Sequence, residues 1–279
     1  MGRHLLLVAT LGACALLPLA HEAGAQPPAA GERKLDLKRL EKELEQGDPA
    51  TQERVLGELA TARGKDAEKA AQIAAALLTR GASVRLSELA LAAVEQLAQP
   101  STTRAIVPYS RHRNADLRQR ATRALARTGG PEAVTALRAA LRGPDPALRG
   151  VAASGLATLG AADAVPDLFL VLSKDVPEAA GAIGKLCTPP DCRKFVDLLG
   201  KLPFDPMQAG LEPILLRKET EVPEDLKLDL LERLRKLQTK EVSTFLAVVL
   251  ARYPASGSPR VKAALGAAAS GKPIPKAKP

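Results

Sequence analysis

Residues Asp145-Pro146-Ala147-Leu148-Arg149-Gly150-Val151-Ala152-Ala153-Ser154-Gly155-Leu156-Ala157-Thr158-Leu159-Gly160 decide the fold. Thirty-one positions earlier, Leu117-Arg118, Ala121, Leu125 and Gly129 repeat Leu148-Arg149, Ala152, Leu156 and Gly160. One more step back gives Leu86, Ala90 and Val94. Residues spaced i, i+4, i+8 share one face of a helix, and the small alanine between two larger residues lets a paired helix come close. The closing glycine adopts the left-handed conformation at little cost and ends the helix. The segment ahead of the quoted stretch repeats too, because Ala133-Val134 and Leu137 map onto Ala164-Val165 and Leu168. One unit is therefore a helix from Pro131 to Arg142, a Gly143-Pro144 turn, and a second helix from Asp145 to Leu159.

Working outward, Asp48, Ser83, Asn114, Asp145, Asp175, Asp205 and Thr239 each precede an apolar helical pattern, at intervals of 35, 31, 31, 30, 30 and 34 residues. Residues of these types cap helix N-termini, each contributing about 1 kcal/mol. A period of 30 to 35 residues is one helical hairpin, and stacked hairpins form a solenoid. The expectation is an all-α superhelix of about seven hairpins over residues 35–269. First helices fall at 35–46, 66–79, 101–110, 131–142, 162–172, 191–200 and 224–237. Their partners fall at 50–62, 83–98, 114–128, 145–159, 175–186, 206–217 and 240–252, with a closing helix at 258–269. The prolines at 203, 206, 213 and 223 make 200–225 the stretch where helices can shift or split.

The pattern Asp-x-x-Leu-Arg-x-x-Ala, with Asp-Pro steps at Asp48-Pro49, Asp145-Pro146 and Asp205-Pro206, resembles the HEAT-like repeats of phycobilin lyase-type proteins. The resemblance is strongest over residues 83–172. It weakens where Leu86-Ser87, Ala179-Ala180 and Val242-Ser243 replace the apolar-arginine pair, so an unbroken arginine ladder is not expected. It implies an α-solenoid whose second helices line the concave surface. The pigment chemistry of some such proteins does not follow from the fold.

Residues 1–25 read as an export signal: Arg3, an apolar run from Leu5 to Leu19, and Ala23-Gly24-Ala25 as a small-residue cleavage site. The run, interrupted by Pro18, is shorter than the roughly 20 apolar residues that span a bilayer. The expected location is periplasmic or secreted. Leu11-Gly12-Ala13-Cys14 offers the alternative of a lipoprotein anchored at Cys14, although the apolar Ala15–Leu19 that would follow is unlike a lipoprotein start. Residues 26–34 read as a linker and 270–279 as a disordered basic tail rich in proline and lysine. In an oxidising compartment Cys187 and Cys192 are candidates for a structural disulfide. With His4 and His21 near the start and only His112 beyond, no zinc-type cluster can be assembled, so neither a metal nor a cofactor is expected.

No phosphate loop, nucleophile elbow, S-x-x-K pair or H-E-x-x-H helix occurs in the chain. His112, between Arg111 and Arg113, reads as an exposed loop histidine. Asp225 and Asp229 read as part of a charged helix face with Lys227, Arg233 and Lys236 rather than as a hydrolase pair. No catalytic residue is assigned and the chain is expected not to be an enzyme, with a small-molecule enzyme as the lesser reading.

Charge is the sharp local feature. Residues 104–149 hold ten arginines, no lysine and three acids, Asp116, Glu132 and Asp145, and so carry seven of the nine net positive charges. Arg120, Arg123 and Arg127 fall within about 60° on a helical wheel, away from Leu117, Ala121 and Leu125. Together with Arg111 and Arg113 they form the candidate basic patch, suited to carboxylates or phosphates. The leading expectation is an exported scaffold that binds a protein in the cell envelope. The alternative is an anionic envelope polymer or lipid headgroup on the arginine-rich segment. Nucleic acid is disfavoured by export and by the six Phe and Tyr residues without tryptophan.

Overall fold

The computed structural model describes residues 35–174 and 176–275. The expected export signal with Cys14, the expected 26–34 linker, Asp175 and residues 276–279 lie outside them. The described residues form one unit, all helical apart from turns and an isolated Leu199–Leu202 bridge. The hairpins are α1 (Leu37–Gln46) with α2 (Pro49–Leu59), α3 (Lys65–Arg80) with α4 (Val84–Leu97), α5 (Thr103–Ile106) with α6 (Ala115–Thr128), and α7 (Pro131–Arg142) with α8 (Pro146–Thr158). They continue as α9 (Val165–Leu172) with α10 (Glu178–Leu186), α11 (Pro189–Val196) with α12 (Phe204–Leu216), and α13 (Glu224–Leu237) with α14 (Lys240–Arg252). A last helix, α15 (Pro259–Ala269), packs on both α13 and α14. No helix among the described residues is long and apolar enough to cross a membrane.

The repeated positions form the core. Leu86, Ala90 and Val94, then Leu117, Ala121 and Leu125, then Leu148, Ala152 and Leu156 are all buried. Second helices stack on one another more closely than first helices do between α4 and α12. Small residues permit that spacing: a Cβ on Gly155 would lie 2.7 Å from that of Ala126, and one on Gly184 only 2.1 Å from the Gly210 carbonyl oxygen.

Five of the expected caps accept a backbone N–H at the start of their helix. They are Asp48 from Thr51, Ser83 from Leu86, Asn114 from Leu117, Asp145 from Ala147 and Leu148, and Thr239 from Val242. Asp205 is a correction. Pro203 takes the cap position of α12, and Asp205 sits in the first turn, where its carboxylate accepts from the Gln208 amide. Asp36 and Ser258 cap the two outermost helices, α1 and α15. Pro213 lies within α12 without splitting it.

The helix expected at 101–110 is a second correction. Residues Pro100–Thr102 and Val107–Arg111 are 3-10 turns around the four-residue α5. Pro100 opens the first turn and Pro108 lies in the second, and proline supplies no N–H to an α-helical ladder. Among the described residues this first helix is the most interrupted, while α9 is preceded by a single 3-10 turn at Ala162–Ala164.

Cys187 and Cys192 are joined in a disulfide with Cα atoms 5.2 Å apart, tying the end of α10 to α11. Both are fully buried, and the Arg217 guanidinium donates to the Cys187 carbonyl at 2.9 Å. Closing so short a loop restricts the unfolded chain by about 2 kcal/mol. Replacing both cysteines by alanine is expected to lower stability by about that amount, read as a lower urea midpoint, and to abolish the effect of reductant on the midpoint.

Candidate functional site

Many of the ion pairs among the described residues join neighbouring repeats. Along the first row, Lys69 and Arg80 pair with Glu41 and Glu45, Arg104 with Glu132, Arg138 with Asp163, and Arg138 and Arg142 with Asp167. Farther along, Arg193 and Arg233 of one helix or its neighbour meet Asp225 and Asp197, and Arg260 meets Glu224. Burial alone would raise the Asp167 carboxyl, but hydrogen bonds from Arg142 and Arg138 outweigh it and hold the group below its ordinary range. The second row carries Arg85–Glu53, Arg123–Glu95 and Arg252–Glu212. Arg118 donates to the carbonyls of His112 and Arg113 and lies 3.5 Å from Asp145, so it bridges two hairpins.

Against this ladder the five candidate arginines separate. Arg123 reaches Glu95 at 3.8 Å. Arg111, Arg113, Arg120 and Arg127 have no carboxylate within salt-bridge distance among the described residues. They do not form one patch. Arg111 and Arg113 line a hollow of about 370 Å³ beside Arg118 and the Gly143-Pro144 turn. Arg123 and Arg127 line a different groove of about 400 Å³ that crosses α4, α6, α8 and α10, and Arg120 lines neither.

That groove has a floor of small residues, Ala126, Gly150, Ser154 and Gly155, and its charged rim is mixed, with Glu95 and Glu178 beside Arg123 and Arg127. The Glu178 carboxylate lies over Gly150, where a Cβ would approach it to 2.8 Å. The acids were not part of the sequence reading. Glu95 stands one repeat before the arginines and Glu178 two repeats after them, in the same helix row, which is the signal that would have revealed them.

Two further residues depart from expectation. His112 is half-buried, not exposed: its ring stacks on Tyr109 with centroids 5.9 Å apart, and its Nδ1 accepts the Asn114 N–H. Lys227, read as part of an exposed charged face, is fully buried, and its ammonium donates to the Arg217 carbonyl and to Glu219. Asp225 and Asp229 are each engaged by an arginine, Arg193 and Arg233. The Arg193 hydrogen bond holds the Asp225 carboxyl below its usual range. No group of three or more metal-ligating side chains occurs among the described residues.

Residues 103–185 match the profile of the family described as HEAT repeats. No curated protein sequence matches the chain. Among solved structures, the chain is similar to the complex of CpcE and CpcF of phycocyanin lyase from Nostoc sp. PCC7120, at 16% identity and a TM-score of 0.47, covering 88% of this chain and 97% of that one. It is similar to an engineered protein at 20% identity and a TM-score of 0.48, covering 85% and 72%. It is also similar to a chain of a homology model of the full-length AP-3 complex at 14% identity and a TM-score of 0.52, covering 84% of this chain and half of that one. Likeness at these identities concerns the fold. Residues 103–185 match HEAT repeats, and the described residues form an all-α solenoid.

Proposed function

We propose that this chain is an exported, non-enzymatic scaffold that binds another protein, in the periplasm or cell envelope, along the face formed by its second helices. The groove across α4, α6, α8 and α10 carries this reading. Its small-residue floor gives room for a partner's side chains, while Arg127 and the adjacent Arg123–Glu95 and Glu178 charges supply polar anchors. Mixed charge of this kind favours specificity and orientation over bulk affinity.

Arg127→Glu with Glu178→Arg reverses the two groove charges that lie outside the Arg123–Glu95 pair. In affinity capture from native envelope fractions, the wild-type chain is expected to recover a specific partner, and the double variant at least tenfold less of it. Melting temperatures within a few degrees of each other establish that the fold is intact. Equal recovery by both proteins refutes the groove as the binding face.

The exposed Arg111 and Arg113 favour a second reading, an anionic envelope polymer or lipid headgroup. Such binding rests on charge and weakens as salt screens it. Sedimentation with anionic vesicles at low salt, lost in Arg111→Glu/Arg113→Glu, supports it; no sedimentation at low salt excludes it.

A further inference from the structure

The largest hollow described, about 780 Å³, is separate from the groove across α4, α6, α8 and α10, adjoins the Arg111–Arg113 hollow at His112, and lies where a first helix is broken. Where Pro100 and Pro108 turn the chain into 3-10 geometry, the narrower backbone leaves part of α3 uncovered. The cleft so formed runs between α3 and residues 101–112. Its walls are mainly aliphatic, from Ala76, Ala82, Val84, Ala105 and Pro108. Val84 is 46% exposed, one of four large apolar side chains left open to solvent among the described residues. The volume falls in the range of small-molecule sites, which combine apolar walls with a few placed polar groups.

Beside the neutral Gln72, Thr79, Ser87, Ser101 and Thr102, the charged groups are of one sign. Arg80, Arg104 and His112 line the cleft, and no aspartate or glutamate does. The Arg104 side chain is 89% exposed, and its pairing with Glu132 at 3.3 Å is a surface contact of the sort that contributes little. Arg80 is held in the same way by Glu45, at 3.1 Å. Both guanidiniums therefore have donors to offer an incoming anion. His112 adds a third donor: with Nδ1 accepting the Asn114 N–H, the neutral ring carries its proton on Nε2. The Tyr109 hydroxyl is already committed to the Leu78 carbonyl at 2.9 Å and serves to fix the wall.

We propose that this cleft binds an amphipathic carboxylate, a long-chain fatty acid by chemical class. Its aliphatic body lies against the alanine, valine and proline wall, and its head group is held by Arg80 and Arg104. This site is independent of the second-helix groove. The chain contains no tryptophan, so a fluorescent fatty acid such as cis-parinaric acid can be titrated into the full chain against little background.

Saturable binding is expected, with displacement by palmitate at least tenfold more effective than displacement by methyl palmitate. Ala76 is exposed, so Ala76→Trp fills the cleft without entering the core and is expected to weaken probe binding at least tenfold. Arg80→Ala/Arg104→Ala is expected to remove the preference for the acid over the ester. Arg127→Glu/Glu178→Arg leaves binding unchanged, which separates this site from the groove. Absence of saturable binding, equal displacement by acid and ester, or an Ala76→Trp chain that binds as tightly as wild type each overturns the proposal.

Discussion

Gly184→Ala is expected to cost about 3 kcal/mol or more, a large loss for a single methyl group. A Cβ on Gly184 would stand 2.1 Å from the Gly210 carbonyl oxygen and 2.6 Å from its Cα. Gly210 has the reciprocal problem, 2.4 Å from the Ala180 carbonyl oxygen and 2.7 Å from the Phe195 ring. Backbone atoms cannot turn away as a side chain can, so α10 and α12 must separate. They are the most closely packed helices of the structure, and α10 also packs on α8, so the strain spreads into the next hairpin. Gly57→Ala supplies the opposite sign from the same chemical change. Gly57 is exposed within α2, with nothing within 4 Å of its built Cβ, and alanine there is expected to stabilise by about 0.5–1 kcal/mol through helix propensity. Urea titration of both variants followed by circular dichroism reads the difference. Equal effects would mean that the Gly184–Gly210 crossing is not a packing constraint.

How much of this was legible in the sequence depended on whether the cause was local. Leu117, Ala121 and Leu125 and their copies declare a helix face by spacing alone, and the same residues are buried. Thus the helices Pro131–Arg142, Glu224–Leu237 and Lys240–Arg252 coincide with the expected spans. The helix expected at 101–110 gives way because Pro100 and Pro108 remove donors that an α-helix needs, although Ile106 and Val107 keep the apolar spacing. Lys227 was also legible in principle. It stands at i, i+3, i+4 and i+7 with Leu230, Leu231 and Leu234, all buried, so period outranks charge at that position. The arginines could be counted but not sorted, because Arg123 and Glu95 are 28 residues apart and meet only once the hairpins stack. The aliphatic cleft beside α3 is less legible still, since it follows from what a broken helix fails to cover.

Lys227→Ala is the other change expected to cost the most, about 3–5 kcal/mol, because it leaves a partly buried carboxylate without its cation and a void among Leu226, Leu230 and Leu231. Burial alone would raise the Glu219 carboxyl. The Lys227 ammonium, the Glu219 backbone N–H, the Tyr253 hydroxyl and the Ser258 N–H more than reverse that and bring it down to about 2. A depressed carboxyl contributes stability that is fully present above its unfolded value, near 4.5, and is lost as pH falls towards 2. With solvent reaching part of the side chain, that contribution is on the order of 2 kcal/mol. Glu219→Gln is therefore less stable than wild type at pH 7, and the gap closes below pH 4. Tyr253 bounds the alkaline side. Burial first, then the Glu219 hydrogen bond, raises its hydroxyl above the ordinary value of 10, so its contribution starts to fade once pH passes 10. The same carboxylate accepts the N–H of Ser258, whose hydroxyl caps α15 and donates to Glu224. Solenoids depend on their terminal caps, so acid should release α15 before the central hairpins. Hydrogen exchange between pH 5 and pH 3 tests this, after correction for intrinsic rates: protection must fall first over residues 217–269, and exchange that loosens residues 115–158 equally early refutes it.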